Sequence, residues 1–264
     1  MNFSRGSAAT IVFFAVAFGV PWGTWIALRA RHVSFAQGPP LAFMLGAAFC
    51  SIAGVIATFI EAGLSGIKDL ARRCVLYRVP IAWWLYALLM PLGVHVVATF
   101  IYGTVHGRVG PIRPTELFHQ WWLFYIFVFG LFQGPLAEEL GWRGFLLPRL
   151  LSKHSALTAS MIAGLIWAGW HINMFSSLLS SLALFTASAV ALSVLMTVLF
   201  LHTRGSVLLA IVMHGSGLPG KDIARIWFPT AAEPPDWIRA VILIAVAGIV
   251  VGITGKRLRL RMGP

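Results

Sequence analysis

Eight long apolar runs, parted by short polar loops, leave this chain one solvent in which to fold. They lie at about 8 to 28, 40 to 61, 81 to 104, 118 to 137, 156 to 175, 177 to 202, 205 to 219 and 237 to 254, and a spanning helix takes about 20 such residues. With 59% of its 264 residues hydrophobic and 11% charged, the chain lacks the polar surface of a water-soluble domain. The expected fold is all-α, a polytopic transmembrane helical bundle of about eight spans. The seventh run is short and ends at Leu218-Pro219-Gly220, as a half-helix would, or a span that tilts little and ends below the far interface. Neither an internal repeat nor a low-complexity linker divides the sequence, so residues 1–264 read as a single integral membrane domain.

A net charge of +12 invites a nucleic-acid partner, but the basic residues sort by loop instead of forming one patch. With eight spans and an internal N-terminus, the inside loops carry Arg5, then Lys68, Arg72, Arg73 and Arg78, then Arg143, Arg149 and Lys153, then Arg204, then Lys256, Arg257, Arg259 and Arg261. That majority of the 20 predicts both termini in the cytoplasm and no nucleic-acid partner. The basic tail at Lys256 to Arg261 then lies on the inner leaflet, as an orientation signal or as a contact for anionic lipid. The excess of Arg over Lys suggests a GC-rich genome and a bacterial inner membrane. Two cysteines, Cys50 and Cys74, make no disulfide framework. The first run contains Ala15-Val16-Ala17, like a signal-peptide cleavage site, yet it continues past Trp25 and reads as an uncleaved span.

The costly residues are Glu138 and Glu139, side by side in Pro135-Leu136-Ala137-Glu138-Glu139-Leu140-Gly141-Trp142-Arg143 at the end of the fourth run. A carboxylate at mid-membrane costs roughly 2.5 to 3.5 kcal/mol on insertion scales, so an intramembrane acid pair points to function. Gly134-Pro135 interrupts the run, and proline suits the first position of a new helical segment, whose positive end favours carboxylates. Pro148 is expected to bound that segment after Leu147. Within it Glu139 and Arg143 stand four apart on one face, whereas Glu138 points about 100° away, towards Trp142. One acid is held and the other is free. Two histidines lie inside later runs: His171, which ends Trp167-Ala168-Gly169-Trp170-His171, and His214, about nine residues or roughly 14 Å into the seventh. His95 reads as a satisfied packing residue, and His32, His106, His119, His154 and His202 as interfacial.

Glu138-Glu139-x-x-x-Arg143, Trp167-x-x-x-His171 and His214 resemble, in order and in helical context, the three motifs of the CPBP family. That family comprises the CAAX prenyl endopeptidases and their bacterial relatives, the abortive-infection membrane proteins. The resemblance covers about residues 120–220, the expected protease core, and the first three spans match it in hydrophobic character alone. It implies an intramembrane endopeptidase that hydrolyses a peptide bond of a membrane-associated substrate, such as a prenylated CAAX tail, with a Glu-activated water. On that resemblance Glu138 is the base, His171 helps to hold the water, Glu139 paired to Arg143 is structural, and His214 stabilises the oxyanion. Two departures stand out. Trp167 replaces the commoner Phe, an exchange of one aromatic for another, and Leu218 stands where the family carries Asn or Asp, with Ser216 or Asn173 as substitute donors.

The donors also suit zinc, because Glu138, His171 and His214 make a His₂Glu set with an open fourth position. No His-Glu-x-x-His occurs on one helix, so metal-dependent and glutamate-only chemistry both stand. Three other readings compete. Glu139–Arg143 and the histidines can serve as packing glue between helices; a non-catalytic relative can bind a peptide or lipid in an immunity or scaffold role, which Leu218 favours; and a proton-coupled transporter uses buried Glu and His, though usually with inverted repeats. The shared-site reading predicts that Glu138, Glu139, His171 and His214 converge on one cavity opening towards the basic, cytoplasmic side.

Overall fold

Apolar length decides which runs cross. The computed structural model describes residues 4–32, 41–107, 121, 127–128, 130–132, 134–172 and 179–260. Most of the fourth run, His119, Asn173 and Arg261 lie outside them. All the regular structure among the described residues is helical: α1 (Arg5–Ala30), α2 (Leu41–Cys74), α3 (Ile81–Val105), α4 (Pro135–Glu139), a π-helical segment (Leu140–Leu146), α5 (Leu147–Leu151), α6 (Ala156–Trp170), α7 (Leu179–His202), α8 (Val207–Ser216), α9 (Gly220–Trp227), α10 (Asp236–Thr254) and a closing 3₁₀ turn (Gly255–Arg257). Helices α1, α2, α3, α7 and α10 are long and apolar enough to cross a membrane. The protein is a polytopic membrane bundle. Helices α6 and α8, of 15 and 10 residues, fall short of a hydrocarbon core about 30 Å thick at 1.5 Å of rise per residue. The seventh run is therefore a half-helix, and the fifth stops sooner than its apolar length suggested.

Small residues bring the helices together, since lipid gives apolar side chains no reason to prefer one another. A Cβ on Gly54 of α2 would stand 2.7 Å from the Leu140 carbonyl oxygen, and one on Gly141 would stand 2.5 Å from that of Cys50. The π segment is thus seated backbone to backbone on α2. A Cβ on Gly164 of α6 would meet the Val190 Cα of α7 at 2.6 Å. Helix α1 lies along α2, and α3 lies along α8. Tryptophans stitch α1 to α6 in both directions: Trp22 Nε1 donates to the Trp170 carbonyl at 2.9 Å, and Trp170 Nε1 donates to that of Ala17 at 2.7 Å. Without water in the bilayer core, such indole donors need protein acceptors.

The two ends of the bundle differ in charge and in closure. At the basic end, Arg72 and Arg73 pair with Asp69, Ser206 Oγ donates to the Leu76 carbonyl at 2.8 Å, and the Leu260 amide donates to His202 Nε2 at 3.1 Å. Arg73 Nη2 also donates to the Gly144 carbonyl at 3.0 Å. This last bond corrects the expectation that Pro148 ends its segment, because helix continues through it to Leu151. Proline cannot donate to the preceding turn, and the side chain of Arg73 satisfies the Gly144 oxygen there. At the opposite end, Glu233 joins Lys221 at 3.0 Å and Arg225 at 2.5 Å, tying α9 to the approach of α10. Those two cations hold the Glu233 carboxyl below the usual carboxylate range.

Candidate active site

Glycine and proline shape the backbone beneath the acid pair. Pro135 takes the first turn of α4, as expected, which places Glu138 and Glu139 at its end. From Leu140 the chain widens into seven residues of π-helix containing Gly141, Trp142, Gly144 and Phe145, and single π turns inside helices recur at functional sites. The expectation was plain α-helix. Gly141 and Gly144, with Pro148 beyond, are the signal for the irregularity, and nothing in their apolar periodicity tells π from α.

The two acids then take separate partners. Glu139 is wholly buried, and its Oε1 accepts from Arg143 Nη1 at 2.9 Å and from His214 Nδ1 at 2.8 Å. Arg143 is 1% exposed and lies with its guanidinium carbon 5.0 Å from the centre of the Trp167 ring. Glu138 faces the other way. Its Oε2 accepts two indole protons, from Trp142 Nε1 at 3.2 Å and from Trp167 Nε1 at 2.7 Å. Its carbonyl oxygen lies 3.6 Å from Cys50 Sγ on α2, a thiol donor. The assignment of Glu139 to Arg143 and of Glu138 to the Trp142 face thus holds.

Both histidines sit at helix ends beside the same indole. His171 caps α6, and its Nδ1 lies 2.9 Å from the Trp167 carbonyl. A carbonyl only accepts, so Nδ1 carries a proton, and in the neutral ring the lone pair is on Nε2. His214 is in the last turn of α8. The rings of His171 and His214 stand 5.8 and 5.2 Å from that of Trp167, both edge to face. Glu138, Glu139, Arg143, His171 and His214 are therefore gathered around Trp167, from four helical segments. The role of Trp167 itself was missed: an aromatic-for-aromatic exchange hides the N–H that makes the shortest bond to Glu138.

Other expectations fare differently. Among the described residues, no group of three or more His, Cys, Asp or Glu side chains is placed to hold a metal ion. The hydrogen bonds of Glu138, His171 and His214 to the protein engage Oε2 and the two Nδ1 atoms. A cavity of about 470 Å³ reaches the site through His214, and its lining includes Pro91, His95, Lys221, Asp236 and Arg239. Its walls come from the late part of α3 and the early parts of α7 and α10, so it lies towards the end remote from the basic loops. Glu138, Glu139 and His171 do not line it, so it is not the expected shared cavity with its opening on the basic side but a separate space at the other end. The cause is the shortness of α8, which stops at Ser216 and leaves space beyond His214. His95 is not fully satisfied, because its Nδ1 is buried without a hydrogen-bond partner among the described residues. Ser216 is no spare oxyanion donor, since its hydroxyl stands 2.9 Å from the carbonyls of both Ala87 and Met213. Leu218 is half exposed, and its side chain lies against Gly130 of the fourth run.

Residues 119–217 match the family model of the Rce1-like type II CAAX prenyl endopeptidases. The chain is also similar to "CAAX prenyl protease 2" of Methanococcus maripaludis, with 30% identity over 98 residues, which are 33% of this chain and 36% of that relative. The chain thus spans about a third of the curated relative it matches. The matched segment contains Glu138, Glu139, Arg143, Trp167, His171 and His214, so over this third of its length the chain is similar to the CAAX prenyl endopeptidases in the residues that carry the CPBP resemblance.

Proposed function

We propose that the protein is an intramembrane endopeptidase that hydrolyses a peptide bond of a membrane-associated substrate, of the CAAX prenyl type, by general-base attack of water. The observation that carries this reading is the division of partners between adjacent carboxylates: Glu139 is held by Arg143 and His214, while Glu138 is presented by two indoles. In the proposed reaction Glu138 takes a proton from water, and the His171 Nε2 lone pair accepts the water's other hydrogen. The hydroxide oxygen bonds to the scissile carbonyl carbon, and the proton taken by Glu138 passes to the leaving nitrogen as the C–N bond breaks. His214, bonded to Glu139 through Nδ1, turns Nε2 towards the carbonyl. As a donor to the oxyanion it must carry both protons, and Glu139 is its counter-charge. In this reading both termini face the cytoplasm and the membrane is a bacterial inner membrane, as the basic loops suggest.

A reconstituted assay with a library of lipidated peptides tests the reading. The native protein is expected to cleave, and Glu138→Ala or His171→Ala to lower cleavage by about 10²- to 10⁴-fold, the usual worth of a general base or its partner. Activity that survives a chelator supports the glutamate-only route, and activity lost to the chelator and restored by zinc replaces it with a metal one. One observation favours a second reading: with Leu218 in place of Asn or Asp and the Ser216 hydroxyl engaged elsewhere, a substitute oxyanion donor is missing among the described residues next to His214. Cleavage by Leu218→Asn alone would assign the native chain a role in binding a peptide or lipid.

A further inference from the structure

Trp167 meets four polar members of the site. Its N–H bonds to Glu138, its ring lies under the Arg143 guanidinium, and the rings of His171 and His214 stand edge-on to it. It is 5% exposed. Of its two bonds from indoles, Glu138 Oε2 makes the shorter with Trp167, 2.7 Å against 3.2 Å to Trp142. Two donors on one oxygen hold the carboxylate plane, because a charge-assisted bond resists rotation about the last side-chain torsion. The other oxygen, Oε1, lies on the side of Gly134, where an added Cβ would stand 3.8 Å from it.

We infer that the Trp167 indole N–H is a positioning donor which commits Glu138 Oε2 to the protein and so makes Oε1 the oxygen that accepts the water's proton. This rests on the reading of Glu138 as the base. The geometry explains why the ring alone does not suffice. Phenylalanine at 167 would keep the aromatic contacts to Arg143, His171 and His214, yet leave the carboxylate with the longer Trp142 bond and freedom to swing. Catalysis depends on such aim, and a displacement of about 1 Å can cost on the order of 100-fold. Substrate binding does not use this bond, so the loss falls on kcat.

Two measurements on the full-length protein in nanodiscs test the inference. In ¹H–¹⁵N spectra of tryptophan-labelled protein, the indole signal that vanishes in Trp167→Phe identifies Trp167. It is expected downfield, and to move upfield in Glu138→Leu by more than the Trp22 and Trp170 indoles, which bond to backbone carbonyls instead of to Glu138. Glu138→Gln, which keeps the side-chain shape and a weaker acceptor, is expected to move it the same way by less. With the lipidated peptide library, Trp167→Phe is expected to lower kcat about 10- to 100-fold with KM within about twofold. An unmoved Trp167 signal in both Glu138 variants overturns the bond whatever the activity. A moved signal with native kcat in Trp167→Phe overturns the positioning role. Native protein that shows the shift yet cleaves nothing keeps the Trp167–Glu138 bond and removes the proteolytic reading instead.

Discussion

Adjacent glutamates in a membrane differ by what surrounds each, and their substitution separates them. Glu139 answers two cationic or protonated partners from inside the bundle, so Glu139→Gln leaves Arg143, 1% exposed, without its counter-charge. Breaking a buried pair in this way costs about 3–5 kcal/mol. Glu138→Gln keeps a carbonyl oxygen for the two indoles and is expected to cost well under half of that. Thermal melting in detergent compares the two variants, and equal melting temperatures contradict the assignment. The face shared by Glu139 and Arg143 was legible from their spacing of four. The bond from Trp167 to Glu138 was not, because 29 residues and a helix reversal separate them.

At the scale of elements, the site depends on how the π segment seats on α2. Gly54 faces the backbone of Leu140 and Gly141, and Gly141 faces the backbone of Cys50. Backbone cannot step aside as a flexible side chain can. Gly54→Ala and Gly141→Ala are each expected to destabilise by about 1–3 kcal/mol, the usual cost of overpacking, and to lower cleavage with no polar site residue changed. Gly248→Ala on α10, where nothing lies within 4 Å of the added carbon, is the matched control and is expected to melt with the native protein. Native melting in Gly54→Ala would show that α2 and the π segment are not seated so closely.

Across the whole molecule, the site and the charge bias point to opposite ends. The cavity that reaches His214 lies towards Lys221, Asp236 and Arg239, whereas Asp69, Arg72, Arg73, Ser206 and His202 gather at the other end. In the orientation proposed from the positive-inside tendency, that basic end faces the cytoplasm. Single cysteines introduced at Lys68 and at Trp237, in a Cys50→Ala, Cys74→Ser background, test this with a membrane-impermeant thiol reagent on intact cells. Labelling is expected at 237 and not at 68. The reverse pattern would turn the molecule over and put the cavity on the cytoplasmic side.

The sequence by itself determined the solvent, the helical class and which charges stand inside apolar runs, because the bilayer demands long apolar segments and charges within them are costly enough to stand out. Local spacing also assigned Glu139 to Arg143, since residues four apart on a helix meet whatever else the chain does. Tertiary structure alone decided the rest. The π geometry of Leu140–Leu146 depends on backbone contact with α2, the run through Pro148 depends on an arginine 71 residues distant, and the link from Glu139 to His214 spans 75. Which way the cavity runs was likewise hidden, for it follows from where α8 stops against α3, a matter of packing between segments that periodicity within each one does not record.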